Sequence, residues 1–161
     1  MRRFKQLLPE QDPKKILHDG SNGVLSLVDA EGIPYGVPIS YAFDGDRSIY
    51  FHSAASGHKI ECIAHNAHCS FCVVAQDLII PEEFTSYFRS VIVAGTIRTV
   101  TDGDQRMKGL LLLCDKYSPG INPDSEISRC IGHVAVLCLD IESITGKEAI
   151  ELVRERNDPE Q

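Results

Sequence analysis

Between residues 22 and 100, apolar and polar side chains alternate in short runs separated by turn residues, and each run predicts a strand. "GVLSLVD", 23–29, sets Val24, Ser26 and Val28 on one face against Leu25 and Leu27 on the other. "DAEG" at 29–32 reads as a hairpin turn, and extended structure resumes in "IPYGVPISYAF". Pro34 and Pro38 interrupt that run. A proline cannot donate to a ladder, so the strand is an edge, is bulged, or gives up pairing locally. "DGD" at 44–46 turns the chain again, and "RSIYFH" makes a third strand. "CSFCVV", 69–74, is a fourth, residues 76–86 read as a loop, and "YFRSVIVAGTIRTV", 87–100, is a long fifth. "HVAVLCLDI", 133–141, is a sixth, after which "ESITGKEA" leads into a polar tail.

Helical signals fall between these runs. Asp12 and Pro13 suit an N-cap and first helical residue, with Gly20 as the stop, giving a short helix over 13–19. Residues 57–66 fit a second helix with Ile60 and Ile63 inward. "TDGDQRMKGLLLLCDKY" carries a cap (Thr101 or Asp102) and an apolar stripe, so it is a long helix, followed by a polar connection rich in Pro, Ser and Asn. Six strands with hairpin turns and few helices predict a mainly β protein, an antiparallel β-barrel with flanking helices. A doubly wound sheet needs regular strand–helix alternation. No repeat or linker divides the chain, so one domain is expected, with its core over about 14–149.

Composition adds exclusions. With 43% hydrophobic and 24% charged residues among 161, the chain is neither disordered nor fibrous in character. A formal charge of −7 argues against broad nucleic-acid binding, which needs a basic face. No apolar run reaches ~18 residues, so no membrane span is expected. Arg2, Arg3 and Lys5 are not followed by a long apolar segment, so a secretory signal is not expected either. A cytoplasmic location is the default, and the six cysteines fit it as reduced thiols. Glu142, Glu148, Glu151, Glu155, Asp158 and Glu160 predict a solvated tail.

The densest chemistry is "FHSAASGHKIECIAHNAHCSFCVV", 51–74. Cys69 and Cys72 have the spacing of half a zinc knuckle, yet residues three apart on a strand face opposite ways. Cys62 and His65 share a helix face, but no second pair follows at a usual distance and His133 stands alone, so no metal site is expected. A cysteine inside an apolar strand has its pKa raised, which also weakens a catalytic thiol. An anion cradle is the third reading. "SAASGHK" leaves a strand and opens a helix, where free N–H groups, the hydroxyls of Ser53 and Ser56, Gly57 and the ammonium of Lys59 suit a phosphate. The plain alternative is an ordinary helix cap with a solvated lysine. Likewise, prolines in "PYGVPIS" leave backbone groups free for a planar ligand, or mark only an edge bulge.

Taken in order, "PYGVPISYAFDGDRSIYFHSAASGHKIECI", "YFRSVIVAGTIRTV" and "VLCLDIESITGKE" resemble the nitroimidazole-resistance branch of the pyridoxamine 5′-phosphate oxidase-related, flavin-binding split-barrel proteins, over roughly residues 14–149. The resemblance implies a six-stranded split barrel and a homodimer with FMN in clefts at the subunit interface. It implies that Val37, Pro38, Ile39 and Ser40 lie along the isoalloxazine ring with backbone contacts. Phe51, His52, Ser53, Ala54 and Lys59 would hold the ribityl phosphate, and Arg89 and Ser90 would add phosphate or ring contacts. His52 matches the histidine near the flavin in the nitroimidazole reductases and is the candidate catalytic side chain. The R-L-x-P-type motif of true pyridoxamine phosphate oxidases is missing, which argues against vitamin B6 oxidation.

The function so implied is an FMN-dependent oxidoreductase, passing electrons from a reduced small-molecule donor to a small acceptor. The alternative is an FMN-binding carrier, sensor or scaffold without turnover. A third reading, haem handling, needs an axial ligand that neither His18 nor His133 has a context to supply. A dimer is also expected because the proline-broken strand and the apolar run Val91–Ala94 leave much surface to cover.

Overall fold

The computed structural model describes residues 4–158. One antiparallel sheet carries β1 (Asn22–Val28), β2 (Pro34–Ser40), β3 (Ala42–Phe43), β4 (Ser48–Ala54), β5 (His68–Ile80), β6 (Thr85–Thr99) and β7 (Val134–Glu148). The spatial order is β2-β1-β5-β6-β7-β4-β3. Its first and last strands are consecutive in sequence, joined by Tyr41 alone, so the sheet curls into a barrel whose seam is one residue wide.

Alternation sets what lies inside. Leu25 and Leu27, Ile49 and Phe51, Phe71 and Val73, Val91 and Val93, and Leu137 and Leu139 fill the barrel as one apolar cluster. Phe71 meets Tyr41 and Phe51 edge-on, with ring centroids 4.8 and 5.2 Å apart. A second cluster forms outside, where Tyr50, Val136 and Cys138 are covered by α3 (Gly103–Tyr117) and α4 (Asp124–Cys130). α3 comes so close that a Cβ on Gly109 would lie 2.7 Å from the Tyr50 ring. Asp102 caps α3 by accepting the Gln105 N–H at 2.8 Å.

α1 (Asp12–Asp19) and α2 (His58–His65) stand where the sequence places them, although Gln11 rather than Asp12 is the N-cap of α1. Four expectations change. Residues 76–86 are not a loop, since β5 continues to Ile80 and β6 starts at Thr85 around a 3₁₀ turn, Pro81–Glu83. The count is seven strands because "IPYGVPISYAF" breaks at Tyr41, each half pairing at an opposite end of the sheet. The polar connection contains α4, anchored by buried Ile127. The tail is not all solvated. β7 runs on to Glu148, which is 1% exposed, and α5 (Ile150–Asn157) buries Leu152 and Val153. Arg2, Arg3 and Glu160 lie outside the described residues. Among the described residues, no helix is long and apolar enough to cross a membrane.

Candidate functional site

The seam opens into a split. β3 pairs Ala42 with Tyr50 and Phe43 with Ile49. Continued at the same register, that ladder would set Ser40 against His52 and Pro38 against Ala54. Instead β2 leaves at Tyr41 to pair with β1, Ser40 with Asn22 and Pro38 with Val24. Residues 51–54 pair only with β7. Two strand edges therefore diverge from Tyr41, each with backbone groups that have no ladder partner among the described residues.

These edges carry most of the residues the sequence singles out. Val37 and Ile39 are half-buried and pack on the barrel core, Ser40 is half-buried, and Pro38 is exposed. Proline thus sits on an edge strand, as its missing donor requires. Phe51 is wholly buried, so only its backbone borders the split. His52 is exposed and takes no side-chain partner among the described residues, while Ser53 is half-buried and Ala54 exposed.

α2 begins beyond the end of β4. Gly57 precedes it at φ +117°, a conformation open to glycine and costly for other residues. No side chain caps this helix. Ile60 and Glu61 donate back to the Gly57 carbonyl, whereas the N–H groups of His58 and Lys59 have no backbone acceptor among the described residues. Lys59 is half-buried and unpaired among them, and burial lowers the pKa of its ammonium. The His58 ring meets Tyr35 of β2 edge-on at 4.7 Å, tying the helix start to the strand edge. A half-buried cation without an acceptor, beside free N–H groups, can receive an anion.

Arg89 and Ser90 are not brought to this place. Arg89 Nε donates to the Glu148 carboxylate at 3.1 Å and Nη1 to Gln76 Oε1 at 3.3 Å, and Arg156 stands 3.1 Å from the other Glu148 oxygen. Ser90 pairs with Val74 and Lys147. Along β7, Glu148 lies about 36 Å of extended strand from Leu137, the partner of Phe51. Arg89 instead borders a separate groove of about 640 Å³ shared with Asp12, Lys15 and Ser21.

The cysteines follow strand alternation. Cys69 packs on the core, and burial, with Glu142 adding to it, pushes its thiol up to about 12. Cys72 pairs with Val24 and Ile92, whose side chains are exposed on the outer face. Burial also raises the Cys62 thiol. Among the described residues, no three His, Cys, Asp or Glu side chains are placed to share a metal ion. His18 bonds Asp19 at 2.9 Å and His133 is exposed. Two side chains at the site were not singled out from the sequence. Tyr35 could have been found by its two-residue spacing from Val37 and Ile39, and His58 by its place before Lys59.

The family model described as pyridoxamine 5′-phosphate oxidase matches residues 10–148. No curated protein matches the chain. Among solved structures, the fold is similar to that of a protein from Bacteroides thetaiotaomicron described as a 5-nitroimidazole antibiotic resistance protein (TM-score 0.76, 20% identity, 88% of this chain and 86% of that one). It is also similar to an FAD and heme binding protein from Mycobacterium smegmatis (0.73, 21%, 90% and 73%) and to an FAD-binding protein from Mesorhizobium loti (0.66, 26%, 89% and 97%).

Proposed function

The chain belongs to the pyridoxamine 5′-phosphate oxidase family, and from that premise we propose that it is an FMN-dependent oxidoreductase of the nitroimidazole-reductase-like type. The observation that carries the reading is the split between β2 and β4, followed in sequence by Lys59 in the first turn of α2, whose half-buried ammonium has no partner among the described residues. The residues fit the cofactor. Lys59 and the free N–H groups at the start of α2 suit one phosphate. The unpaired edges at 37–40 and 51–54 suit the donors and acceptors along a flavin ring. When bound, FMN supplies the electron transfer between a reduced donor and a small acceptor. The chain orients the ring through Val37, Pro38, Ile39 and Ser40 and holds the phosphate through Lys59 and the 51–54 backbone. His52, exposed at the β4 edge, is the side chain we propose gives a proton to a reduced acceptor.

The working unit proposed is a homodimer with the flavin at its interface. Val91 and Val93 prove to be inside the barrel, but Val24, Val74 and Ile92 remain exposed outside, as do Leu78, Ile79 and Phe84 on the β5–β6 hairpin. We assign Arg89 and Ser90 to the split of the second copy, since β6, which carries them, pairs them with the far end of β7, away from their own.

The test is the absorption spectrum of the freshly purified protein, followed by mass analysis of whatever acid releases. Two visible flavin bands and released FMN are expected. Released FAD corrects the cofactor. A colourless protein that takes up no added FMN overturns the reading.

A further inference from the structure

We propose that His58 is a positioning residue, fixing the anion-binding start of α2 against the ring-binding edge of β2; this rests on the flavin reading above. The two halves of the site belong to different elements. The ring half is a strand edge held by β1, while the phosphate half is the first turn of a helix. That turn follows Gly57, and no side chain caps it. Cys62 and Ile63 anchor the body of α2 in the core, and the Tyr35–His58 contact links its first turn to β2.

The imidazole is half-exposed and has three neighbours. The Tyr35 ring meets it at 70°, with centroids 4.7 Å apart. Its Nε2 is 3.7 Å from the Cys62 thiol one turn on, and its Nδ1 is 3.9 Å from the Glu61 carboxylate. Cys62 is 1% exposed and belongs to the barrel core, so the ring is referenced to the core as well as to the strand. Tyr35 lies on the face of β2 that carries Val37 and Ile39, and all three pack on that core. A shift of His58 therefore moves Lys59, its neighbour, relative to residues 37–40. Binding sites lose affinity when one contact group is displaced by as little as about 1 Å.

Comparing FMN with riboflavin isolates this role, because riboflavin keeps the ring and lacks the phosphate. Binding of each is measured by fluorescence quenching in the wild type, His58→Ala, His58→Phe and Lys59→Met, with circular dichroism as the check on folding. His58→Ala is expected to weaken FMN by up to about tenfold, the scale of a lost aromatic pair, and to leave riboflavin unchanged. His58→Phe keeps the edge contact and is expected to recover most of that loss. Lys59→Met marks the full value of the phosphate contact. Equal weakening of both flavins, or none, overturns the proposal, as does a His58→Phe variant no better than His58→Ala. A wild-type protein that binds neither flavin removes the flavin reading itself, and this inference with it.

Discussion

The hydroxyl of Tyr117, in the last turn of α3, accepts the backbone N–H of Tyr41 at 2.9 Å and stands 2.9 Å from the Tyr41 carbonyl, so one side chain engages both backbone groups of the seam residue. The Ser21 carbonyl is a third partner of the same hydroxyl. Tyr41 is wholly buried, and the Lys116 ammonium lies 4.0 Å above its ring. Helix α3 thus clamps the point from which β2 and β4 part.

Tyr117→Phe removes that clamp and leaves the buried backbone N–H of Tyr41 without an acceptor. A stability loss of about 1–3 kcal/mol is expected, which at this size lowers the thermal midpoint by about 2–4 °C per kcal/mol. The same substitution is expected to loosen flavin binding, because Ser40 adjoins the seam. An unchanged midpoint by differential scanning calorimetry would show that water replaces the hydroxyl.

His52→Ala tests the proton-donor role without touching the fold, since the side chain is exposed and unpartnered among the described residues. Acceptor reduction is expected to fall by about a hundredfold, the lower end of general acid catalysis, with flavin content unchanged. Turnover equal to wild type at every pH would remove the role and leave His52 as a surface residue.

Alkaline unfolding is expected to trace Cys69. Its thiol is raised to about 12 in the folded chain, by burial first and Glu142 second, against about 8.5 when exposed. The unfolded chain therefore releases this proton first. The contribution is fully present below the unfolded value and is lost as pH climbs toward the folded one. Cys62, Cys114 and Cys138 are shifted the same way by burial. Urea midpoints of Cys69→Ala should fall less steeply than wild type above about pH 9. Equal slopes would assign the alkaline loss elsewhere.

The barrel was legible because its strands alternate. Leu25 and Leu27, or Val91 and Val93, face one continuous core, so a period of two survives in the sequence. Where both faces meet solvent, the period vanishes. Leu78 and Ile79 are both exposed on the β5–β6 hairpin, and nothing in "QDLII" separates one side from the other. Charge hid α5, whose Leu152 and Val153 sit in "IELVRERN" among acids and bases that the helix turns outward. The Lys59 cradle and the proline edge were readable as local chemistry. The separation of Arg89 from them was not, because it depends on how β7 crosses the sheet, a relation between residues far apart in sequence.

The one-residue seam also bears on solubility. A fully closed barrel hides its strand edges; here the split leaves two of them without ladder partners, and the closure at its one end is covalent: Ser40, Tyr41 and Ala42 in succession. A proteolytic cut at Tyr41 would free β2 from β3 and let the two bare margins of the split swing apart. Such margins recruit strands from other chains. The spacing of those margins then hangs on a single stretch of backbone, and the shielding of Tyr41 beneath Tyr117 and Lys116 doubles as protection against cleavage.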